Sequence, residues 1–152
     1  MKNKALFPGS FDPFHRGHED IVNRALQLFD EIVIAVGVNA NKSYMYSLEK
    51  RINLIEKTFA HSDQVSVTSY VGLTIDFCRS TDASFILRGI RNPADFEFEK
   101  SIAQVNRTLN HSIETVFLIT SPEWSHISSS IVRDVYRNGG DITPFVSHSN
   151  LL

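Results

Sequence analysis

A lone cysteine, Cys78, rules out an intrachain disulfide. It sits beside Ile75 and Phe77 in a helical pattern, as a buried structural thiol would rather than a nucleophile. No apolar run approaches the ~20 residues of a membrane-spanning helix, and Met1-Lys2-Asn3-Lys4 leads into a strand rather than a signal-peptide core, so the expected location is the cytoplasm. A basic excess is missing too: Lys+Arg 15 against Asp+Glu 17 gives a net charge of -2. That argues against nucleic acid as a partner, while leaving room for a small phosphorylated ligand held by a few local cations. Neither usual phosphate fingerprint is present. There is no G-x-x-x-x-G-K-[ST], and no G-x-G-x-x-G follows any strand, which disfavours a kinase-type P-loop and a dinucleotide dehydrogenase. Repeats, low-complexity tracts and linkers are absent.

What remains is a chain of 152 residues, 42% hydrophobic, read as a single domain spanning residues 1–152. The runs Ala5-Leu6-Phe7, Ile32 to Val36, Val65-Ser66-Val67, Phe85-Ile86-Leu87 and Val116 to Ile119 have the near-continuous hydrophobicity of strands covered on both faces. Helical periodicity separates them. Leu48, Ile52, Ile55 and Phe59 form one buried face behind a Ser47 N-cap, and Phe98, Ile102, Val105 and Leu109 repeat the pattern as a second expected buried face. A last helix runs from about Ser129 to Tyr136 and stops at Asn138-Gly139-Gly140. Strand and helix alternate about five times, which predicts an α/β, doubly wound, five-stranded parallel sheet with its ligand beyond the C-terminal strand ends. The segment after Ile142 reads as a polar tail or subunit contact.

Polar and glycine residues do concentrate after strands. Gly9 to His18 follows the first run. Gly9 is expected to take unusual φ/ψ, Pro13 to stiffen the loop, and His18 to open a helix ending near Phe29, where free N–H groups and the helix dipole favour anionic oxygens and a neutral, donating imidazole. Asn39 to Ser43 follows the second run, Arg88-Gly89-Ile90-Arg91 the fourth, and Ser121 to Ser130 the fifth. Paired arginines suit phosphate oxygens; surface ion pairs are the plainer reading. Lys42 is either a phosphate contact or a solvated lysine. Asp95, Glu99 and Asn106 fall within ~40° of one another at ~100° per residue, as a cleft wall or as ordinary helix surface. Ser128, Ser129 and Ser130 suit a polyphosphate cradle or a simple N-cap, with Trp124 and His126 able to meet a purine or ribose.

Taken together, Gly9-Ser10-Phe11-Asp12-Pro13, Gly17-His18, Gly72 to Phe77, Arg88 to Arg91, Asp95 to Glu99 and Glu123 to Ser130 resemble the bacterial phosphopantetheine adenylyltransferases, within the H-x-G-H nucleotidyltransferase superfamily. The resemblance covers nearly the whole chain. It implies a Rossmann-like nucleotidyltransferase fold and transfer of an adenylyl group from ATP to 4'-phosphopantetheine, giving dephospho-coenzyme A and pyrophosphate. By matching position it implies His18 as the transition-state donor, and Ser10, Lys42, Thr74, Arg88 and Asn106 on the acceptor. For ATP it implies Ser10, Phe11, His18, Gly89, Ile90, Arg91, Glu99, Trp124, Ser125, His126, Ile127, Ser128, Ser129 and Ser130. Mg²⁺ is expected mainly on the phosphates, with no dedicated protein ligands, and a homohexamer restrained by coenzyme A is expected. Three positions depart from the pattern: Phe98 stands for a usual tyrosine, Thr120 for a proline, and His15 for a threonine, completing H-x-G-H. The alternative is another H-x-G-H nucleotidyltransferase with a different phosphorylated acceptor; a non-catalytic nucleotide-binding module would need neither His18 nor both arginines.

Overall fold

The computed structural model describes residues 1–152. Strands and helices alternate as expected: β1 (Lys4–Gly9), α1 (Arg16–Ala25), β2 (Glu31–Gly37), α2 (Leu48–Thr58), β3 (Val65–Tyr70), α3 (Thr74–Ser80), β4 (Phe85–Ile90), α4 (Pro93–Leu109), β5 (Glu114–Ile119) and α5 (Ser129–Arg137), before a short 3-10 turn, Ser149–Leu151. All pairings are parallel, in the order β3-β2-β1-β4-β5. The order reverses between β1 and β4, so the loops that leave these two strands flank a crevice at the C-terminal edge.

The two-residue period of each strand sorts the core. Ala5 and Phe7, with Ile32, Ile34 and Val36, face α1, α2 and α5 and join Ile21, Leu54, Ile55 and Val132 in the larger cluster. Leu6, Val33 and Ala35 point the other way, to Ile75 and Cys78 of α3. Cys78 is fully buried and its thiol is pushed up to about 11 by desolvation, as expected of a structural cysteine. Ser47 caps α2 by accepting from the Lys50 N–H, and α5 ends at Asn138 before Gly139, whose φ is +77°.

Three expectations about the helices and the C-terminal segment fail. Helix α1 begins at Arg16 and ends at Ala25, short of Phe29. The apolar row of α4 is not buried: Phe98, Ile102, Val105 and Leu109 are 67%, 41%, 59% and 57% exposed, whereas Glu99 is the buried residue of that helix. Its rotation is set by ion pairs from Asp95 and Glu99 to β4 and the loop after it, described below, which turn the polar stripe inward. Finally, the segment after Ile142 is no free tail. Ile142 and Val146 are buried in the main core, the Phe145 carbonyl accepts from the Arg16 N–H at 2.8 Å, and Ser147 Oγ donates to Glu19 at 2.7 Å. This strap holds down the start of α1.

Candidate active site

Leaving β1, the chain makes a sharp turn whose left-handed residue is Phe11 (φ +47°) rather than Gly9. Gly9 is needed for space: a Cβ there would lie 2.7 Å from Cζ of the Phe11 ring. Asp12 is buried and accepts from the Met45 and Tyr46 N–H groups at 2.8 and 2.9 Å, tying the turn to the start of α2. His15 is the N-cap of α1. Its Nδ1 accepts from the Gly17 N–H, and His18 Nδ1 accepts in turn from the His15 N–H, each at 3.1 Å. This is a capping box built from two imidazoles. With Nδ1 committed as an acceptor, the neutral His18 ring carries its proton on Nε2.

The surroundings hold both rings neutral. They stack at 3.6 Å between centroids, and Phe11 and Phe14 pack on His18 at 5.0 and 5.2 Å. Burial pushes His15 down to about 3, with the Arg91 charge adding to the effect. His18 is held well below 6.5, first by burial and then by His15, Arg88 and Arg91.

Two cavities meet beside this turn. One, of about 530 Å³, is lined by Ser10, Lys42, Thr74, Arg88 and Asn106 among others. The other, of about 320 Å³, is lined by Phe11, His18, Gly89, Arg91, Ile127 and the three serines Ser128, Ser129 and Ser130. Gly9, Ser10, Lys42, Arg88 and Glu99 border both. The five residues expected on the acceptor therefore share the first cavity, and most of those expected on the nucleotide share the second. Ile90, Trp124, Ser125 and His126 line neither. Ile90 is buried with its carbonyl on the Thr120 N–H, Trp124 lies under the Arg16 guanidinium at 5.9 Å, and His126 is exposed.

Both arginines are braced from α4. Arg88 forks onto Glu99, Nε to Oε2 at 2.9 Å and Nη2 to Oε1 at 2.5 Å. Arg91 forks onto Asp95 at 3.0 and 3.2 Å, one helical turn earlier. Arg88, Gly89 and Ile90 belong to β4 itself rather than to a following loop, so Arg88 is aimed by the sheet. Lys42 Nζ donates to Ser10 Oγ at 2.7 Å across the junction of the two cavities. Ser128 caps α5 through the Ile131 N–H, Ser129 Oγ donates to the Pro13 carbonyl at 2.9 Å, and Ser130 Oγ accepts from Arg133. Cations and the N-termini of α1 and α5 thus converge where polyphosphate oxygens would be favoured.

Residues 6–135 match the cytidylyltransferase-like family model. The chain is 62% identical over 143 residues to the phosphopantetheine adenylyltransferase of Flavobacterium psychrophilum, covering 94% of each. It is 64% identical over 138 residues to that of Flavobacterium johnsoniae, covering 91% of this chain and 90% of the relative. With that of Cytophaga hutchinsonii it shares 47% over 148 residues, covering 97% and 99%. The chain belongs to the phosphopantetheine adenylyltransferase family.

Among solved structures, a Vibrio parahaemolyticus protein assigned as a nicotinate-nucleotide adenylyltransferase superposes with a TM-score of 0.75 at 18% identity, covering 100% of this chain and 92% of its own. A bifunctional NMN adenylyltransferase/ADP ribose pyrophosphatase of Francisella tularensis reaches 0.71 at 20% identity, over 93% of this chain and 44% of its own. At such identities the likeness is one of fold.

In this phosphopantetheine adenylyltransferase family member, sequence reasoning missed several participants. Arg133 lines the smaller cavity, donating to the Asp12 carbonyl at 2.8 Å; its position one turn into α5 after three serines was the available signal. The reciprocal capping by His15 was legible in the i, i+3 spacing of the two histidines. Asp12, whose partners lie more than thirty residues away, left no local signal. As for metal, the carboxylates lining the smaller cavity are engaged: Asp12 by two amides, Asp95 by Arg91 and Glu99 by Arg88. Such a set does not fit a resident Mg²⁺, which would need free oxygen ligands.

Proposed function

We propose that this chain transfers the adenylyl group of ATP to 4'-phosphopantetheine, releasing pyrophosphate and giving dephospho-coenzyme A in coenzyme A biosynthesis. The observation that carries this reading is the pair of cavities meeting at Ser10, Lys42 and Arg88, with a neutral His18 lining the smaller one. Two phosphorylated substrates can lie there with their reacting groups adjacent. The relatives' shared name supplies the acceptor.

In the proposed reaction an acceptor-phosphate oxygen attacks the α-phosphorus of ATP in line. The new P–O bond forms as the bond to the bridging oxygen of pyrophosphate breaks, and no covalent enzyme intermediate arises. His18 donates its Nε2–H to a non-bridging α-oxygen as charge builds there, joined by the Ser10 and Phe11 N–H groups. A neutral donor suits this task, since it need neither give up nor regain a proton. Lys42, Arg88 and the Ser10 hydroxyl hold the acceptor phosphate, with Thr74 and Asn106 along the pantetheine arm. Arg91 and the Ser128 to Ser130 cradle hold the ATP phosphates, and Trp124 to His126 approach the base or ribose. Glu99, paired with Arg88, serves by holding that guanidinium in place. Mg²⁺ belongs to the Mg–ATP substrate.

The assembly proposed is a homo-oligomer, a hexamer by family resemblance; the exposed apolar row of α4 supports self-association. Coenzyme A, which contains the product, is proposed to occupy the same cavities as a feedback inhibitor. No helix is long and apolar enough to cross a membrane, and the proposed location is the cytoplasm. Incubation with Mg–ATP and 4'-phosphopantetheine should release pyrophosphate with formation of dephospho-coenzyme A. Release only with a different phosphate ester would overturn the acceptor, and release with none would leave a binding module.

A further inference from the structure

Helix α2 carries a guanidinium that the mechanism above does not use. Arg51 is only 2% exposed, yet it forms no ion pair with any carboxylate. Its Nη1 donates to the carbonyls of Ser10 at 2.7 Å and Gly37 at 3.3 Å, its planar face lies 4.0 Å from the Tyr44 ring centroid, and its Nε has no partner. Two carbonyl dipoles and an aromatic face thus stand in for a counter-ion. Both carbonyls belong to the C-terminal ends of strands beside the cavities, one at the last residue of β2 and one just past β1.

The consequence follows from peptide geometry. The Ser10–Phe11 bond is trans, the single cis bond being Asp12–Pro13, so its carbonyl and N–H point in opposite directions within one plane. Drawing the Ser10 carbonyl inward onto Arg51 turns the Phe11 N–H outward. That N–H has no acceptor within the chain, and Phe11 lines the smaller cavity with His18. Phe11 also sits at φ +47°, a strained conformation for a bulky residue that persists only where its surroundings impose it. Ser10 is gripped at two points, its carbonyl by Arg51 and its hydroxyl by Lys42 at 2.7 Å, and the Tyr44 ring lies against both cations.

We propose that Arg51 is a positioning residue for adenylyl transfer, clamping the Ser10 carbonyl so that the Phe11 N–H is aimed at the α-phosphate beside His18. This rests on the functional reading above. The Phe11 N–H then acts as a preset donor that strengthens its hold as negative charge accumulates on phosphorus, and misaiming one such donor costs ~10²-fold or more in turnover. Ground-state binding, spread over Arg91, Arg88, Lys42 and the serine cradle, is left nearly intact.

The test is steady-state kinetics of Arg51→Met and Arg51→Lys, with rates normalised to sites counted by ATP titration. Arg51→Met should lose about 100-fold in kcat with KM for ATP and for 4'-phosphopantetheine each within about threefold. Arg51→Lys, whose ammonium can still reach the Ser10 carbonyl, should fall between, about tenfold down. A kcat within threefold of wild type in Arg51→Met, or a loss confined to KM, overturns the proposal. If Arg51→Met does not fold, Arg51→Lys decides alone: a tenfold loss in kcat at unchanged KM sustains it, and wild-type kcat overturns it. Wild-type protein in the same assay separates the two readings, since an inactive wild type sinks the function itself, whereas an active wild type with an indifferent Arg51→Met sinks only the clamp.

Discussion

Lowering the pH should destabilise this fold through His15, and the size of the effect can be worked out. Buried at the start of α1 and stacked on His18, His15 titrates near 3 when folded, against 6.5 for an ordinary histidine. Below pH 6.5 the unfolded chain takes up a proton at this position that the folded chain refuses, so the unfolded state binds more protons and stability falls as pH falls. The loss begins near 6.5, grows by about 1.4 kcal/mol per pH unit, and levels off only near the folded value of about 3. Between pH 7 and 5 it amounts to about 2 kcal/mol from His15, a sizeable share of the 5–15 kcal/mol that holds a typical domain together. His18 adds to the loss in the same direction. His15→Thr removes one titrating ring while keeping a side-chain oxygen able to cap α1. Urea unfolding of both proteins at pH 7 and pH 5 measures the difference. The wild type should lose about 2 kcal/mol more than His15→Thr over that interval; parallel losses, agreeing within about 0.5 kcal/mol, would show that His15 is not held neutral by its surroundings.

Removing the proposed transition-state donor, His18→Ala, should lower kcat by ~10²-fold or more with ATP affinity within about threefold, and near-normal turnover would take His18 out of the mechanism. Lys42→Ala should instead raise KM for 4'-phosphopantetheine about tenfold at nearly unchanged KM for ATP, a split that substrate titrations read directly. Gly9→Ala pushes a methyl to within 2.7 Å of the Phe11 ring, a ring packed against Phe7, Phe14 and His18. It should cost about 1–3 kcal/mol in urea unfolding and lower kcat as His18 is displaced.

Strands were the most legible part of the sequence, because a parallel sheet covered on both faces demands unbroken apolar runs, and Ile32 to Val36 can be little else. The row Phe98, Ile102, Val105 and Leu109 shows where that logic stops. Periodicity identifies which residues share a face of a helix, but not what the face meets. Here the stronger constraint on α4 is polar: Asp95 and Glu99 are pinned by forked bonds to Arg91 and Arg88, and burying that stripe turns the apolar row outward. The same division runs through the site. His18, Lys42, Arg88, Arg91 and the serines could be found because each stands at the end of a strand, in the loop that follows one or at the start of a helix, where local pattern and phosphate chemistry coincide. Arg51 could not. Inside Leu48-Glu49-Lys50-Arg51-Ile52 it looks like one more solvated cation, and only the convergence of β1, β2 and α2 places its Nη1 on the Ser10 carbonyl. Residues proposed to touch phosphate therefore carry their own signature, whereas those proposed to aim them acquire a role only from contacts remote in sequence, forty-one positions away for Arg51 and Ser10.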